Sequence, residues 1–279
     1  MTRVAYLGPE GTFAHQALAQ LRTVPAPVDG VAKPTVSDVI DAVEEGDADY
    51  GVVPFENSVE GQVNLTVDAL VHGSGAVQVC EELVLAVTFG AYRRPDDHAP
   101  PQAVASHPVA LAQCRTWVHG LGVPPRETSS TADACRSVAE GTEPGVLAVA
   151  SPTAAARWGL EPVAEGIEDF PGAETRFVVA GRHGSPPTGS DRTMLVLVPP
   201  DDKAGVLLTA LQHISGRGIN LSVIASRPLR VRLGEYCFLF VVDIHRDDAD
   251  CAAAFDALTA DGYTIKVLGT YPQSSGRRG

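Results

Sequence analysis

Along the first two thirds of the chain, short apolar runs alternate with segments whose apolar residues recur every three or four positions. Residues 4–7, 50–53, 83–87, 103–105, 145–150 and 176–180 are apolar runs of strand length. Buried strands read this way, whereas helices show the longer period. Residues 13–21 and 36–45 fit helices, the second with Val39, Ile40 and Val43 on one side. This alternation predicts an α/β fold with a mainly parallel sheet. It occurs twice, from the start of the chain and again over about residues 80–161, so two α/β lobes facing one cleft are expected.

The pattern changes after His183-Gly184-Ser185-Pro186-Pro187-Thr188-Gly189-Ser190, a cluster of turn formers between two strand-like runs. The expected division is a first domain over residues 1–182, a linker over 183–192 and a second domain over 193–272. In the second domain, residues 193–198, 220–225, 235–243 and 266–270 read as strands, and 205–215 and 247–260 as helices. That order is βαββαβ, the α+β ferredoxin-like arrangement. Such a sheet leaves an edge and an open face, which pairing between two copies would cover. Residues 273–279 are polar, and a disordered tail is expected there.

Composition narrows the function classes. Hydrophobic residues make up 44% of the 279 and charged residues 20%, an ordinary globular balance. The formal charge of −13 disfavours nucleic acid and anionic membranes, and an anionic substrate needs locally placed donors. No apolar run approaches the length of a membrane span, and the first residues lack a charged lead with an apolar signal-peptide core. The cysteines Cys80, Cys114, Cys135, Cys237 and Cys251 are scattered and form no CxxC pair, and the eight histidines form no HExxH pair. Neither a disulfide framework nor a metal site is expected, and a reducing cytoplasm fits best.

Candidate chemistry lies where polar residues follow the strand-like runs. Pro54-Phe55-Glu56-Asn57-Ser58-Val59-Glu60-Gly61 follows residues 50–53. It reads equally as a binding loop at a strand's carboxyl end and as a turn capped by Asn57 or Ser58. Gly8-Pro9-Glu10-Gly11-Thr12, Ser106-His107-Pro108, Thr128-Ser129-Ser130-Thr131 and Ser151-Pro152-Thr153 likewise stand at predicted helix starts. Helix N-termini converging on one cleft would bind an anion with few cationic side chains. No GxxxxGK[ST], GxGxxG or GxSxG signature is present, so ATP, nicotinamide cofactors and hydrolase triads lack support. His107 reads as a capping or packing residue rather than a base. Arg176, in Thr175-Arg176-Phe177, offers a permanently charged fork for a carboxylate, although alone it fits any exposed strand start.

Taken together and in order, Gly8-Pro9-Glu10-Gly11-Thr12-Phe13, the Pro54 to Gly61 octet, Ser106-His107-Pro108-Val109-Ala110-Leu111-Ala112-Gln113-Cys114 and Thr175-Arg176-Phe177 resemble the motifs of prephenate dehydratases. Beyond the linker, Gly205-Val206-Leu207, Gly218-Ile219-Asn220-Leu221 and Ala225-Ser226-Arg227-Pro228 resemble the family's regulatory ACT domain. The resemblance covers nearly the whole chain. Two departures stand out. Gly172-Ala173-Glu174 occupies a place where many relatives have asparagine before the threonine, and Ala225 replaces a glutamate common in the regulatory motif.

The resemblance implies a catalytic domain of two lobes, periplasmic-binding-protein-like, followed by an ACT domain, with no fused chorismate mutase bundle. It implies decarboxylating dehydration of prephenate to phenylpyruvate, water and carbon dioxide. Aromatisation drives that reaction, so no cofactor and no metal are expected. Thr175 is the implied aid to hydroxide departure and Arg176 the holder or polariser of substrate. Thr12, Asn57, Ser58, Gly61, Ser106, Ser129, Thr131 and Phe177 are the implied substrate-binding set. Glu56 is a rival acid if burial raises its pKa, but two ionised glutamates would repel a dianion, so Glu56 is expected to face a structural partner. L-phenylalanine is the implied effector, with Gly205, Val206, Leu207, Asn220, Leu221, Ala225, Ser226 and Arg227 around it, and self-association to a dimer or tetramer follows. The alternatives are an arogenate dehydratase and a non-enzymatic two-lobed amino-acid or solute sensor.

Overall fold

A computed structural model describes residues 1–230, 232 and 234–274. In the first lobe β1 (Thr2–Leu7), β2 (Val28–Lys33) and β3 (Tyr50–Asn57) carry α1 (Phe13–Ala17), α2 (Val36–Glu45) and α3 (Asn64–His72), with β4 (Gly61–Gln62) folded back on β3. The period-3.6 segment predicted at residues 36–45 is α2. Thr35 and Asp38 close a capping box at its start, and Gly46, at φ 86, ends it in the left-handed conformation that glycine tolerates. The chain then runs through β5 (Gln78–Ala86) into the second lobe. There β6 (Gly90–Arg93), β7 (Ala103–Ser106), β8 (Pro125–Glu127), β9 (Val146–Ala150) and β10 (Glu161–Glu165) form a five-stranded sheet. Its helices are α4 (Pro108–Gln113), α5 (Arg115–Leu121), α6 (Thr131–Glu140) and α7 (Pro152–Arg157).

The chain returns to the first lobe in β11 (Glu174–Gly181), which pairs antiparallel with both β5 and β3. In the second lobe β6 runs antiparallel to β9 and β10, so both sheets are mixed rather than mainly parallel. In the larger sheet the reason is mechanical: β5 leaves the first lobe and β11 re-enters it, so adjacent crossing strands must run in opposite directions. The second lobe accordingly begins near residue 90 and not residue 80. The apolar run at residues 83–87 reads as its first strand because β5 is flanked on both sides within the larger sheet.

The C-terminal unit contains β12 (Asp191–Val198), α8 (Val206–Ser215), β13 (Leu221–Pro228), β14 (Tyr236–Val242), α9 (Ala249–Ala260) and β15 (Thr264–Pro272). Its strand order is β13-β14-β12-β15, the βαββαβ arrangement expected from the pattern. β12 starts earlier than the residue-193 boundary because the Asp191 carboxylate accepts from the Thr188 and Gly189 N–H groups and fixes the turn before it. Gln273 N and Ser274 N, in the segment expected to be a disordered tail, donate to Ser190 O and Glu82 Oε1. Residues 275–279 of that tail lie outside the described residues.

Most of both faces of this sheet is covered, although Ser222, Ile224 and Ser226 of the edge strand β13 stay exposed. α8 and α9 cover one side through Leu195, Leu197, Ala210, Ile214 and Leu258. On the other side Met194, Val196, Leu239 and Val241 join Val67, Leu70 and Val71 of α3 in one core. Arg227 fastens that contact by donating from Nε to Asp68 Oδ1 at 2.9 Å and from NH1 to Asn64 Oδ1 at 2.8 Å. Lys266 Nζ reaches the Val71 and Gly73 carbonyls at 3.0 and 2.6 Å, satisfying the end of α3. Burial lowers the pKa of this lysine, and carbonyl dipoles take the place of water around it.

β15 also pairs with β5 at Gly269↔Val79, which joins the unit to the first lobe in a single ten-stranded sheet. A Cβ at Gly269 would stand 2.1 Å from Val79 O and 2.5 Å from Val79 N, both backbone atoms that cannot rotate away. Gly269→Ala is therefore expected to separate β15 from β5 and to destabilise the chain by about 2–4 kcal/mol, read as a lowered midpoint of chemical unfolding. An unchanged midpoint would contradict this account of the junction.

Candidate active site

The two crossing strands bring the lobes face to face, and a cleft of about 410 Å3 lies between them. Thr175 and Phe177 on β11 line it, while Arg176 between them does not. Successive strand residues point to opposite faces. On the far face Arg176 NH1 lies 3.2 Å from Glu56 Oε2, so the structure pairs Glu56 with Arg176, away from the cleft.

Thr175 is 8% exposed and sits opposite Asn57 of β3. Asn57 Oδ1 accepts from Val59 N and Glu60 N at 2.9 and 3.0 Å, which fixes the orientation of the amide. Its Nδ2 then donates to Thr175 Oγ1 at 2.9 Å. A hydroxyl that accepts from an amide keeps its own hydrogen available, and the bond it accepts strengthens the bond it gives. The octet thus continues β3 through Asn57 before it turns, and the turn aims one amide at one hydroxyl.

The remaining wall residues come from both lobes. Phe13 and Phe89 meet edge to face across the cleft at a centroid distance of 5.7 Å, and with Phe177 and Val87 they give it an apolar floor. Ser129, Ser130 and Thr131 stand at the start of α6, where Ser130 Oγ caps the helix by accepting from Asp133 N. Ser129 donates to Asp133 Oδ2 at 2.9 Å, and the Arg136 guanidinium on the same carboxylate holds its pKa below the usual range. Thr12 caps α1 and donates to Leu7 O at 3.0 Å. Glu60 lines the exposed rim, and among the described lining residues there is no lysine or arginine. Two contacts tie the lobes together here: Gln16 Nε2 donates to Ser151 Oγ at 2.8 Å, and Arg157 NH2 lies 2.5 Å from Glu10 Oε2.

Of the expected site residues the cleft brings together Thr12, Asn57, Ser129, Thr131, Thr175 and Phe177. Ser58, Gly61 and Ser106 are placed elsewhere. Ser58 exchanges hydrogen bonds with the Glu174 backbone, Gly61 forms the turn into β4 at φ 81, and fully buried Ser106 donates to Val149 O at 2.5 Å. Cleft residues given no binding role from the sequence include Phe13, Phe89, Ser130, Gln113 and His107. Gln113, 4% exposed, lines the cleft from the buried side of α4 alongside Ala110. A glutamine on an otherwise core-facing stripe was the available signal. His107 also lines the cleft; its Nδ1 accepts from Val109 N, the capping role expected of it. The described cysteines are all buried, and burial pushes Cys80, Cys114, Cys135 and Cys251 up to about 12, far from a thiolate nucleophile. No cluster of metal-ligating side chains occurs among the described residues, and no helix among them is long and apolar enough to cross a membrane.

The residues expected around an effector fall in separate places. Gly205, at φ 89, precedes α8, with Val206 and Leu207 in its first turn, while Asn220 and Leu221 lie beyond its other end. The remainder of α8 after Leu207 separates the two sets by about 12 Å of helical rise. Ala225 packs at the edge of the core shared with α3, exposed Ser226 is on β13, and Arg227 is engaged by α3.

The chain is similar to known proteins over nearly its whole length. Residues 4–185 match the prephenate dehydratase family model. A prephenate dehydratase of Mycobacterium tuberculosis is 41% identical over 98% of this chain and 87% of its own length. The structure of an Arthrobacter aurescens prephenate dehydratase in complex with L-Phe superposes with a TM-score of 0.87 at 35% identity, over 97% of this chain and 90% of that one. GqqA, described as a novel type of quorum-quenching acylase, also superposes with a TM-score of 0.87 at 29% identity, over 99% and 100%. By the family match and by identity along nearly its whole length, the chain belongs to the prephenate dehydratase family.

Proposed function

We propose that the cleft converts prephenate to phenylpyruvate, carbon dioxide and water, and that Thr175 donates the hydrogen bond that draws off the leaving hydroxide. The ring carboxylate departs as carbon dioxide and leaves its bonding electrons to the ring. The carbon–oxygen bond on the opposite side of the ring breaks with its electrons on oxygen, and that oxygen takes up a proton to become water. The observation that carries this reading is the Asn57 Nδ2 to Thr175 Oγ1 bond at 2.9 Å. It frees the threonine hydrogen for the substrate and keeps the hydroxyl in place while charge develops on the leaving oxygen. The first turn of α6 and the Gln113 amide are the donors proposed for the substrate's carboxylates, and Phe13, Phe89 and Phe177 for excluding water around the ring. Arg176 has its guanidinium on Glu56, so its proposed part is to hold β11 on β3.

An acyl-transfer reading asks for a base within hydrogen-bond reach of the nucleophile. The partner of Thr175 is an amide, which favours dehydration.

The C-terminal unit is proposed to be an ACT domain that binds L-phenylalanine, a reading supported by its strand order and by the L-Phe complex of the Arthrobacter relative. Because α8 holds Gly205, Val206 and Leu207 apart from Asn220 and Leu221, a site using both sets needs two copies side by side, which ties effector binding to self-association.

In steady-state assays with prephenate, Thr175→Ala is expected to lower kcat by about a hundred- to a thousandfold with little change in KM, and Thr175→Ser to stay within about tenfold of the parent. A folded Thr175→Ala protein with parental kcat would overturn the assignment, and turnover of arogenate in preference to prephenate would change the substrate. L-Phenylalanine is expected to lower turnover and to favour the dimer or a larger assembly in sedimentation. A protein that stays monomeric and uninhibited at millimolar phenylalanine would remove the regulatory reading.

A further inference from the structure

The C-terminal unit and the strand that carries Thr175 share one buried carboxylate. Glu82 lies on β5 with its side chain 1% exposed. Its Oε1 accepts from Arg192 NH1 of β12 at 2.7 Å and from Ser274 N at 2.9 Å. Its Oε2 faces Arg176 Nε at 3.7 Å, outside hydrogen-bond reach, and both atoms are buried without a hydrogen-bond partner. An ionic donor and acceptor that face each other in a dry site and remain unpaired are costly, and a movement of under about an ångström would join them.

Contacts continue from this carboxylate in both directions. Arg192 Nε donates to Asp243 Oδ1 at 2.9 Å, and Asn220 Nδ2 donates to Asp243 Oδ2 at 2.5 Å. On the other side Arg176 is held by Glu56, and these two residues directly adjoin Thr175 and Asn57 along β11 and β3. The β11–β3 register shifts between Arg176 and Phe177, so the ladder is irregular just where the reactive pair is mounted.

We propose that Glu82 is a two-position carboxylate through which the C-terminal unit sets the geometry of Thr175. Held by Arg192, it leaves Arg176 to Glu56 and keeps β11 and β3 in the register that aligns Thr175 with Asn57. Released by Arg192, it turns to Arg176, draws it from Glu56 and disturbs that alignment. Glu82 is thus a positioning residue that acts through Arg176. The proposal rests on the dehydratase reading and adds to it the path by which the C-terminal unit controls turnover.

The test is a double-mutant cycle in the full chain, joined to a measurement that needs no activity. Arg192→Gln is expected to lower kcat for prephenate about tenfold with KM within about twofold, whereas in the Glu82→Gln background the same change costs less than about twofold. Arg192→Lys, which keeps a charged donor for Glu82, is expected to recover kcat to within about threefold of the parent. In crystals of Arg192→Gln, the Glu82 Oε2 to Arg176 Nε distance is expected to close to about 2.9 Å. Equal costs in the two backgrounds, or no recovery with lysine, would overturn the proposal. So would a distance that stays near the 3.7 Å of the parent. If the parent turned over no prephenate, the dehydratase reading would fail, and the crystallographic distance would still decide whether Glu82 moves; should Arg192→Gln not fold, crystals of Arg192→Met, which also removes the donor to Glu82, decide it.

Discussion

The pairing of β5 with β11 is the constraint on which the cleft depends. One strand takes the chain out of the first lobe and the other brings it back, and Glu174 pairs with Ala86 where they cross. The threonine one residue further on is fixed at the lobe boundary by main-chain hydrogen bonds on both sides of its strand. A hydroxyl on a surface loop would have to be ordered by the substrate at an entropic cost. Here strand pairing has met that cost during folding. The same two strands also link the lobe to the C-terminal unit, since β15 joins the free edge of β5.

The cleft meets an electrostatic problem without cationic side chains. A dianion approaching a chain of formal charge −13 is repelled at long range, and an arginine in the wall would be the simplest remedy. The nearest candidate, Arg176, is neutralised by Glu56 on the far face of the sheet. What lines the cleft is dipolar: an asparagine, a glutamine, hydroxyls and the start of α6. Fixed dipoles aimed at the sites of developing charge stabilise a transition state without reorganising, whereas a lone arginine would bind the ground-state carboxylates just as well.

Much of this was legible in the sequence, and the failures have physical causes. The period of Val39, Ile40 and Val43 gave α2, and the βαββαβ order followed from alternation and turn residues. β2 was missed because Val28–Lys33 contains Asp29 and Gly30 and lies at the edge of the sheet, with no apolar run to betray it. Asn57 and Thr175 stood out because their motifs are distinctive, yet their hydrogen bond joins residues 118 apart and no local rule predicts it. Ser58 and Ser106 carried the right chemistry, but the Ser58 hydroxyl is turned to the Glu174 N–H, from which it accepts, and the Ser106 hydroxyl donates to Val149 O, and a sequence does not show where such backbone partners will be. The placement of Arg176 was legible in principle. Adjacent residues of a strand face opposite ways, so with Thr175 in the cleft Arg176 falls on the face that carries Glu56.

In the proposed reaction Asn57 contributes to the chemistry by acting on Thr175. Single-turnover rates at saturating prephenate for Asn57→Ala, Thr175→Ala and the double variant test it most directly. If the asparagine works through the threonine, each single change slows the step by about a hundredfold or more, and the double variant lies within about threefold of Thr175→Ala. Losses that multiply to about ten-thousandfold in the double variant would show two independent contributions and contradict the account.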